Sequence, residues 1–130
     1  MKKPIITKAQ AEEIKKTYPT PFHIYDEKGI KDNARRVYDA FSWCAGFKEH
    51  FAVNATPNPT IMKILHSLGC GMDCSSLTEL MLCEKCGIVG DDIMFTSNET
   101  PAEEYALALR LGATITLDDI THVDFLAKVA

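Results

Sequence analysis

The sequence HFAVNATPNP occupies residues 50–59 and joins a short apolar run to a turn. His50 to Val53 have the composition of a strand, and Pro59 stands where a proline commonly begins a helix. A strand that ends at a turn and leads into a helix is the repeating unit of α/β proteins, which display their chemistry at the carboxyl ends of parallel strands. Asn54, at the end of the predicted strand, is therefore the first candidate for a functional position.

The same strand-to-helix pattern recurs along the rest of the chain, and each later strand is followed by a helical pattern with a start signal. The predicted strands are His50–Val53, Gly71–Cys74, Ile93–Thr96 and Thr114–Leu117. Capping boxes are predicted at Ser76–Glu79 and Thr100–Glu103, and Asp119 is predicted to cap a last helix over Ile120–Val129. Four such units imply a parallel sheet with right-handed crossovers.

The first 45 residues follow a different pattern. A capping box at Thr7–Gln10 predicts a short helix. Phe22–Tyr25 predicts a strand outside the repeat, and Gly29 leads into a second helix. We therefore expect a single partial domain over residues 1–130. In it, residues 1–45 supply an N-terminal helix, strand and helix, and residues 46–130 supply four βα units.

Two α/β architectures account for this repeat. One is a free-standing, doubly wound sheet of four strands. The other is about half of a TIM-type (β/α)8 barrel, because eight βα units typically need ~250 residues and this chain has 130. The glycine-rich phosphate motifs of free-standing nucleotide-binding domains do not occur in the sequence. The periodicity alone leaves both architectures open.

Composition excludes several classes of function. The net charge is −4 and the basic residues are scattered, with Arg35-Arg36 as the one arginine pair, so a nucleic-acid partner is not expected. No apolar run approaches the ~20 residues of a membrane span, and the N-terminus has no apolar segment of signal-peptide type. These features predict a cytoplasmic protein.

Five cysteines raise the question of a metal or redox site. Cys83-Glu84-Lys85-Cys86 has the spacing of a zinc or thioredoxin-like pair. The pair, however, closes a helical run that ends at Gly87, where the helix dipole disfavours a thiolate. We therefore expect buried, reduced thiols, and the four histidines show no metal-ligand spacing.

Five segments, in order and at matching spacing, resemble the N-terminal barrel of fold type III pyridoxal-phosphate (PLP) decarboxylases, closest to diaminopimelate decarboxylase. The first resembles the family's opening strand, the second the strand that ends in its Schiff-base lysine, and the others its next three strands. These segments are Thr20–Asp26, Phe51–Ala55, Gly71–Leu80, Ile93–Pro101 and Ile115–Asp119.

The resemblance implies an alanine-racemase-like barrel followed by a β domain, in a homodimer that decarboxylates an amino acid. For the diaminopimelate branch, the reaction converts meso-diaminopimelate to lysine and CO2 in lysine biosynthesis. The ornithine/arginine branch is the alternative within the family. A non-catalytic, decarboxylase-like protein that regulates or binds a partner is a second reading, and an unrelated small α/β binding domain is a third.

The resemblance also assigns positions to the site. Asn54 stands where the family has its Schiff-base lysine, Asp73 and Glu79 match acids near the cofactor, and Ala52 would lie beneath the cofactor ring on the same strand face as Asn54. Asparagine cannot form the imine because its nitrogen lone pair is delocalised into the carbonyl. We therefore expect no covalently bound PLP and no activity. Glu79 also has a simpler reading as a helix-capping residue.

Other parts of the family site are not found in these 130 residues. The glycine-rich phosphate loop, the acid that pairs with the pyridine nitrogen and the substrate-carboxylate arginine belong to sequence that the family carries beyond Ala130. Half a barrel would expose two sheet edges, and such edges favour pairing between chains. The sequence therefore predicts a homo-oligomer or a segment of a longer enzyme, a carboxy-lyase of amino-acid metabolism.

Overall fold

The structure is a computed structural model that describes residues 4–130. A four-stranded parallel sheet forms its centre. The strands lie in sequence order, so each βα unit places its strand beside the preceding one. Their bounds are β1 His50–Ala52, β2 Gly71–Cys74, β3 Ile93–Thr96 and β4 Thr114–Thr116. Compared with the prediction, β1 and β4 are each shorter by one residue at the carboxyl end.

Six α-helices are present in the described part of the chain. Their bounds are α1 Lys8–Lys15, α2 Glu27–Ala40, α3 Pro59–His66, α4 Leu77–Cys86, α5 Ala102–Leu111 and α6 Thr121–Val129. Strand order without a reversal requires that right-handed crossovers place their helices on one side of the sheet. A doubly wound sheet instead reverses its strand order and carries helices on both faces. Of the two architectures expected from the sequence, the observed strand order therefore favours the barrel.

The helix-covered face of the sheet carries the hydrophobic core. The alternate residues of β2 and β3 on this face are fully buried, whereas Phe51 of β1 and Ile115 of β4 are partly buried. Buried residues of α3, α4 and α5 pack on them. The central members are Met62, Met72, Leu80, Ile93, Phe95, Tyr105 and Ala108. No helix among residues 4–130 covers the opposite face, and we call it the open face. A row of residues paired in register crosses it, from Ala52 through Asp73 and Met94 to Thr114.

Local signals explain where several helices begin and end. Asn58 caps α3 by accepting hydrogen bonds from the backbone N–H groups of Thr60 at 2.9 Å and Ile61 at 3.3 Å. The α4 helix ends at Gly87, whose positive φ of 75° confirms the predicted termination after Cys86. The predicted cap at Thr7 is also confirmed. The last helix begins at Thr121, one residue later than predicted, and its cap residue is Ile120 and not the predicted Asp119. Asp119 nevertheless accepts a hydrogen bond from the backbone N–H of Thr121 at 2.8 Å.

The strand predicted at Phe22–Tyr25 is wrong. These residues have no regular secondary structure, although the side chains of His23 and Tyr25 stack with their ring centroids 6.4 Å apart. A strand requires a neighbouring strand to complete its backbone hydrogen bonds, and the four strands of residues 4–130 pair only with one another.

The capping box predicted at Thr100–Glu103 is wrong as well. The cap residue of α5 is Pro101, and the Thr100 hydroxyl is buried without a hydrogen-bond partner in the described chain. Pro101 is itself extended, with a ψ of 157°, and the helix begins only at Ala102, so Thr100 lies one position too early to cap it. None of the helices within residues 4–130 has the length and apolar character needed to cross a lipid bilayer.

Gly71, where β2 begins, allows a close approach between strands. A Cβ at this position would lie 2.4 Å from the Cδ2 atom of His50 and 2.9 Å from the backbone oxygen of Asp92.

We expect Gly71→Ala to lower the free energy of unfolding by about 1–3 kcal/mol, because the backbone at Asp92 must move to make room for the Cβ. Urea denaturation measures the change. The double variant His50→Ala/Gly71→Ala should recover part of the loss, and an unchanged stability for Gly71→Ala would contradict this packing.

Candidate active site at the carboxyl edge of the sheet

The carboxyl ends of the four parallel strands lie along one edge of the sheet, where polar side chains gather. A 3-10 turn at Val53–Ala55 follows β1, and loops follow β2, β3 and β4. In parallel α/β proteins this edge carries the ligand site. The four residues predicted for the site, Asn54, Ala52, Asp73 and Glu79, all belong to β1, β2 or the segments that follow them.

Asn54 lies in the 3-10 turn directly after β1. Val53 beside it is fully buried and anchors the turn, whereas Asn54 is exposed and its side chain has no hydrogen-bond partner among residues 4–130. A capping role for this side chain therefore has no support in the observed contacts. Because β1 ends at Ala52, the strand alternation that would put Ala52 and Asn54 on one face does not extend to Asn54.

Asp73 is the acid of the open face. It is paired in register with the exposed Ala52 on one side and with Met94 on the other. No side chain or backbone group in the described chain donates a hydrogen bond to its carboxylate. Burial raises the pKa of Asp73, the Glu79 carboxylate raises it further, and His50 acts in the opposite direction. Asp73 is thus a half-buried acid that faces open space.

Glu79 has a different environment, because its carboxylate holds the turn between β2 and α4. It accepts hydrogen bonds from the backbone N–H of Ser75 at 3.0 Å, the Ser75 hydroxyl at 3.3 Å and the Ser76 hydroxyl at 2.8 Å. The predicted capping box is therefore not formed. The side chain of the cap residue Ser76 accepts no hydrogen bond from the helix, and Glu79 accepts from the backbone N–H of Ser75 and not from that of Ser76. The simpler of the two readings of Glu79, a residue that organises a helix start, is supported.

Glu104 of α5 makes hydrogen bonds at this edge that the sequence did not predict. Its carboxylate accepts from the backbone N–H of Leu77, the first residue of α4, at 3.0 Å and from the Ser97 hydroxyl at 3.3 Å. It therefore occupies the positive N-terminus of a neighbouring helix and ties the loop after β2 to the loop after β3. No local signal identifies it, because the partner in α4 lies 27 residues away in sequence.

A cluster of polar side chains that the sequence did not predict joins the loops after β3 and β4. Asn98 donates to one carboxylate oxygen of Asp118 at 2.9 Å, and the Nδ1 atom of His122 lies 3.1 Å from the other. The same Nδ1 atom is 3.2 Å from the hydroxyl of the buried Tyr105. His122 is therefore part of a polar network that braces the carboxyl edge, and its neighbours come from three separate segments.

The cysteines do not form the pair suggested by their spacing. The sulfur of Cys83 lies 3.5 Å from the sulfur of Cys74 in β2, and both side chains are fully buried. Cys86 is half-buried. Within residues 4–130, no group of three or more histidine, cysteine, aspartate or glutamate side chains is arranged to hold a metal ion.

Comparison with known proteins identifies the class to which this arrangement belongs. Residues 27–130 match the family model described as pyridoxal-dependent decarboxylase, pyridoxal binding domain. The chain is 53% identical over 108 residues to Protein TabA of Pseudomonas amygdali pv. tabaci, a match that covers 83% of this chain and 26% of TabA. It is 33% identical over 127 residues to the diaminopimelate decarboxylase of Methanothermobacter thermautotrophicus, covering 97% and 30% of the two chains.

A solved structure gives the same result. The diaminopimelate decarboxylase of Helicobacter pylori, in complex with L-lysine, superposes with a TM-score of 0.83 and 28% identity over 92% of this chain and 30% of that one. The four parallel strands and their helices therefore correspond to the N-terminal part of a TIM-barrel decarboxylase. The chain belongs to the pyridoxal-dependent decarboxylase family, because residues 27–130 match its family model. It spans under a third of the length of these relatives.

The family cofactor provides a chemical test of the four candidate residues. A Schiff base with the aldehyde of PLP requires a primary amine. Asn54, Ala52, Asp73 and Glu79 supply an amide, a methyl group and two carboxylates. These four residues therefore do not fit a covalently held cofactor.

Asp73 generates a prediction for stability as a function of pH. Because its pKa is raised in the folded chain, its ionisation opposes folding above that pKa, and the penalty disappears below the ordinary value of ~3.9. We expect Asp73→Asn to increase the free energy of unfolding at neutral pH, with a difference that vanishes as the pH falls below about 4. Urea denaturation across this pH range measures it. The exposed Asp39→Asn is the control, and a destabilised Asp73→Asn at neutral pH would contradict the assignment.

Proposed function

We propose that this chain is the N-terminal segment of a PLP-dependent amino-acid decarboxylase of the diaminopimelate type, and that it is inactive as it stands. In the proposed reaction, meso-diaminopimelate yields lysine and CO2. The observation that carries the proposal is Asn54, an exposed side chain without a partner in the described chain, at the carboxyl end of β1. The family places its Schiff-base lysine at the end of this strand.

The chemistry of that position explains the expected loss of activity. When bound, PLP supplies the electron sink that decarboxylation requires. In the family, a lysine at this position would hold the cofactor. That role needs a nucleophilic nitrogen. The amide of Asn54 has no such nitrogen.

The remaining candidate residues are assigned roles within the same proposal. Asp73 would lie near the cofactor, which agrees with its position on the open face and its free carboxylate. Ala52 would lie beneath the ring, which agrees with its exposure beside Asp73. For Glu79 we propose an indirect role near the cofactor, because all of its observed hydrogen bonds hold the turn at Ser75 and Ser76.

The choice of substrate rests on the named relatives. A diaminopimelate decarboxylase matches almost the whole chain, and the Helicobacter pylori enzyme was solved with L-lysine, the product of the proposed reaction. The ornithine/arginine type is the alternative within the family. A cytoplasmic location remains a prediction from the sequence.

Asn54 also favours a second candidate function, in which the chain is a non-catalytic relative. A protein that keeps the fold but has no amine at this position could regulate an active decarboxylase or bind another partner. The two candidates differ in the response to restoring lysine, since only a decarboxylase that lost its lysine should regain the chemistry.

The test replaces Asn54 in a full-length decarboxylase whose N-terminal segment consists of these 130 residues. We expect Asn54→Lys to become covalently labelled at position 54 after incubation with PLP and borohydride reduction, as mapped by mass spectrometry, and to release CO2 from meso-diaminopimelate. The parent should do neither. Ala55→Lys, in the same exposed turn, is the matched control and should not gain activity.

Each outcome of this test has a defined meaning. If Asn54→Lys is neither labelled nor able to release CO2 from any diamino acid, the decarboxylase proposal fails and the non-catalytic candidate stands. Release of CO2 by the parent would contradict the proposed inactivity. Turnover of ornithine or arginine in place of meso-diaminopimelate would select the alternative branch.

We also propose that the 130-residue chain self-associates. The outer edges of β1 and β4 have no partner strand among residues 4–130, and neither strand contains the proline or lysine that commonly protects an edge. Ile120 near the β4 end is 83% exposed. Unpaired edges together with exposed apolar side chains favour pairing between copies.

Light scattering after size exclusion tests this self-association. We expect a mass above the 14.4 kDa of one chain that increases with concentration. Thr116→Lys, which adds a charge at the β4 edge, should shift the population towards monomer. Thr78→Lys, at an exposed helical position, is the control. A monomer at every concentration would contradict the proposal.

A further inference from the structure

We propose that Cys74 and Cys83 form a buried dithiol that hydrogen peroxide oxidises to an intramolecular disulfide between β2 and α4. The inference does not depend on the proposed function. It rests on the approach of two thiols from different elements, with their sulfur atoms 3.5 Å apart.

The geometry of the two cysteines favours bond formation. Cys74 is the last residue of β2, and Cys83 lies in the second half of α4, so the chain between them is the single turn and helix of one βα unit. A disulfide brings its sulfurs to about 2.05 Å, with Cβ atoms ~3.8 Å apart. Sulfurs already in contact need to approach by only about 1.5 Å.

The other cysteines are worse partners for either thiol. Cys70 precedes β2 whereas Cys74 ends it, and four strand residues span about 13 Å. Cys86 lies one helical turn beyond Cys83 and is the real competitor. It points to a different environment, however, because Cys86 remains half-buried while Cys83 contacts Cys74 in the core.

The hydrogen bond between the two sulfurs favours one thiolate, because the thiol that remains protonated stabilises the thiolate beside it and lowers the pKa of Cys83. We therefore write the first step with Cys83 as the nucleophile. The Cys83 thiolate attacks one peroxide oxygen, the O–O bond breaks, and the departing hydroxide takes up a proton to become water. The Cys83 sulfur is now a sulfenic acid.

The second step closes the disulfide. The Cys74 sulfur attacks the Cys83 sulfur, the S–O bond breaks, and the hydroxide leaves with the Cys74 proton as a second water. In total, two thiols are oxidised to one disulfide and one peroxide is reduced to two waters.

Complete burial makes the dithiol selective for small oxidants. Both side chains have no exposed surface, so a bulky disulfide such as oxidised glutathione cannot reach them without unfolding of the chain. A peroxide molecule is close to water in size and needs only a local opening. The product would join β2, beside Asp73, to the helix that carries Glu79, and the cross-link should stabilise the fold.

The experiment treats the folded 130-residue chain with hydrogen peroxide, alkylates the remaining thiols and maps the peptides by mass spectrometry. Cleavage before Asp73, after Glu79 and after Glu84 separates the relevant cysteines from one another. We expect Cys74 and Cys83 to lose alkylation together and to appear in one linked peptide. The thermal midpoint should rise by several degrees and return after reduction. Oxidised glutathione should leave both thiols free.

Single cysteine variants identify which two thiols form the disulfide. Cys86→Ser should still form the link, and Cys74→Ser and Cys83→Ser should each abolish it. If these two variants fail to fold, the peptide map of the unaltered chain still decides the question. A link between Cys83 and Cys86 would overturn the proposal. The proposal would also be overturned if Cys74 and Cys83 could still be alkylated after peroxide had oxidised the half-buried Cys44. The same holds if oxidised glutathione formed the Cys74–Cys83 link as well as peroxide does.

Discussion

The parallel hydrogen-bonded ladder that joins β2 to its two neighbours is the constraint on which the rest of the structure depends. It aligns the strands so that every carboxyl end reaches the same edge of the sheet. The apolar side chains of β2 and β3 are buried beneath the helices, so a shift of one residue would move them to the open face. The register therefore determines both the core and the position of Asp73.

At the carboxyl edge, most acidic side chains are engaged in holding loops. Glu79 accepts three hydrogen bonds from the turn after β2, and Glu104 occupies the N-terminus of α4. Asp118 is held by Asn98 and His122. Asp73 differs, because its carboxylate faces the open side of the sheet without a donor from the described residues. The network around it gives the edge a defined shape, and among residues 4–130 the side chains of Asp73 and Asn54 take no part in its hydrogen bonds.

Much of the fold could be predicted because its signals are local. Short apolar runs placed the four strands to within one residue, and the cap at Thr7 and the proline at residue 59 placed the starts of α1 and α3. The predictions failed where a distant partner matters. Phe22–Tyr25 has strand composition but no strand to pair with among residues 4–130, and the contact of Cys83 with Cys74 was not predicted.

The sequence by itself determined the βα repeat, membership of the decarboxylase family and the absence of an amine at position 54. The repeat and the chemistry of position 54 follow from side chains and short local patterns, whereas family membership follows from five segments in order along the chain. Only the tertiary structure decided that Glu104 binds the start of α4 and that Cys74 contacts Cys83. It also decided that no group among residues 4–130 donates a hydrogen bond to the Asp73 carboxylate. The physical reason is that these contacts depend on strand register and helix packing, which bring together residues that no local pattern connects.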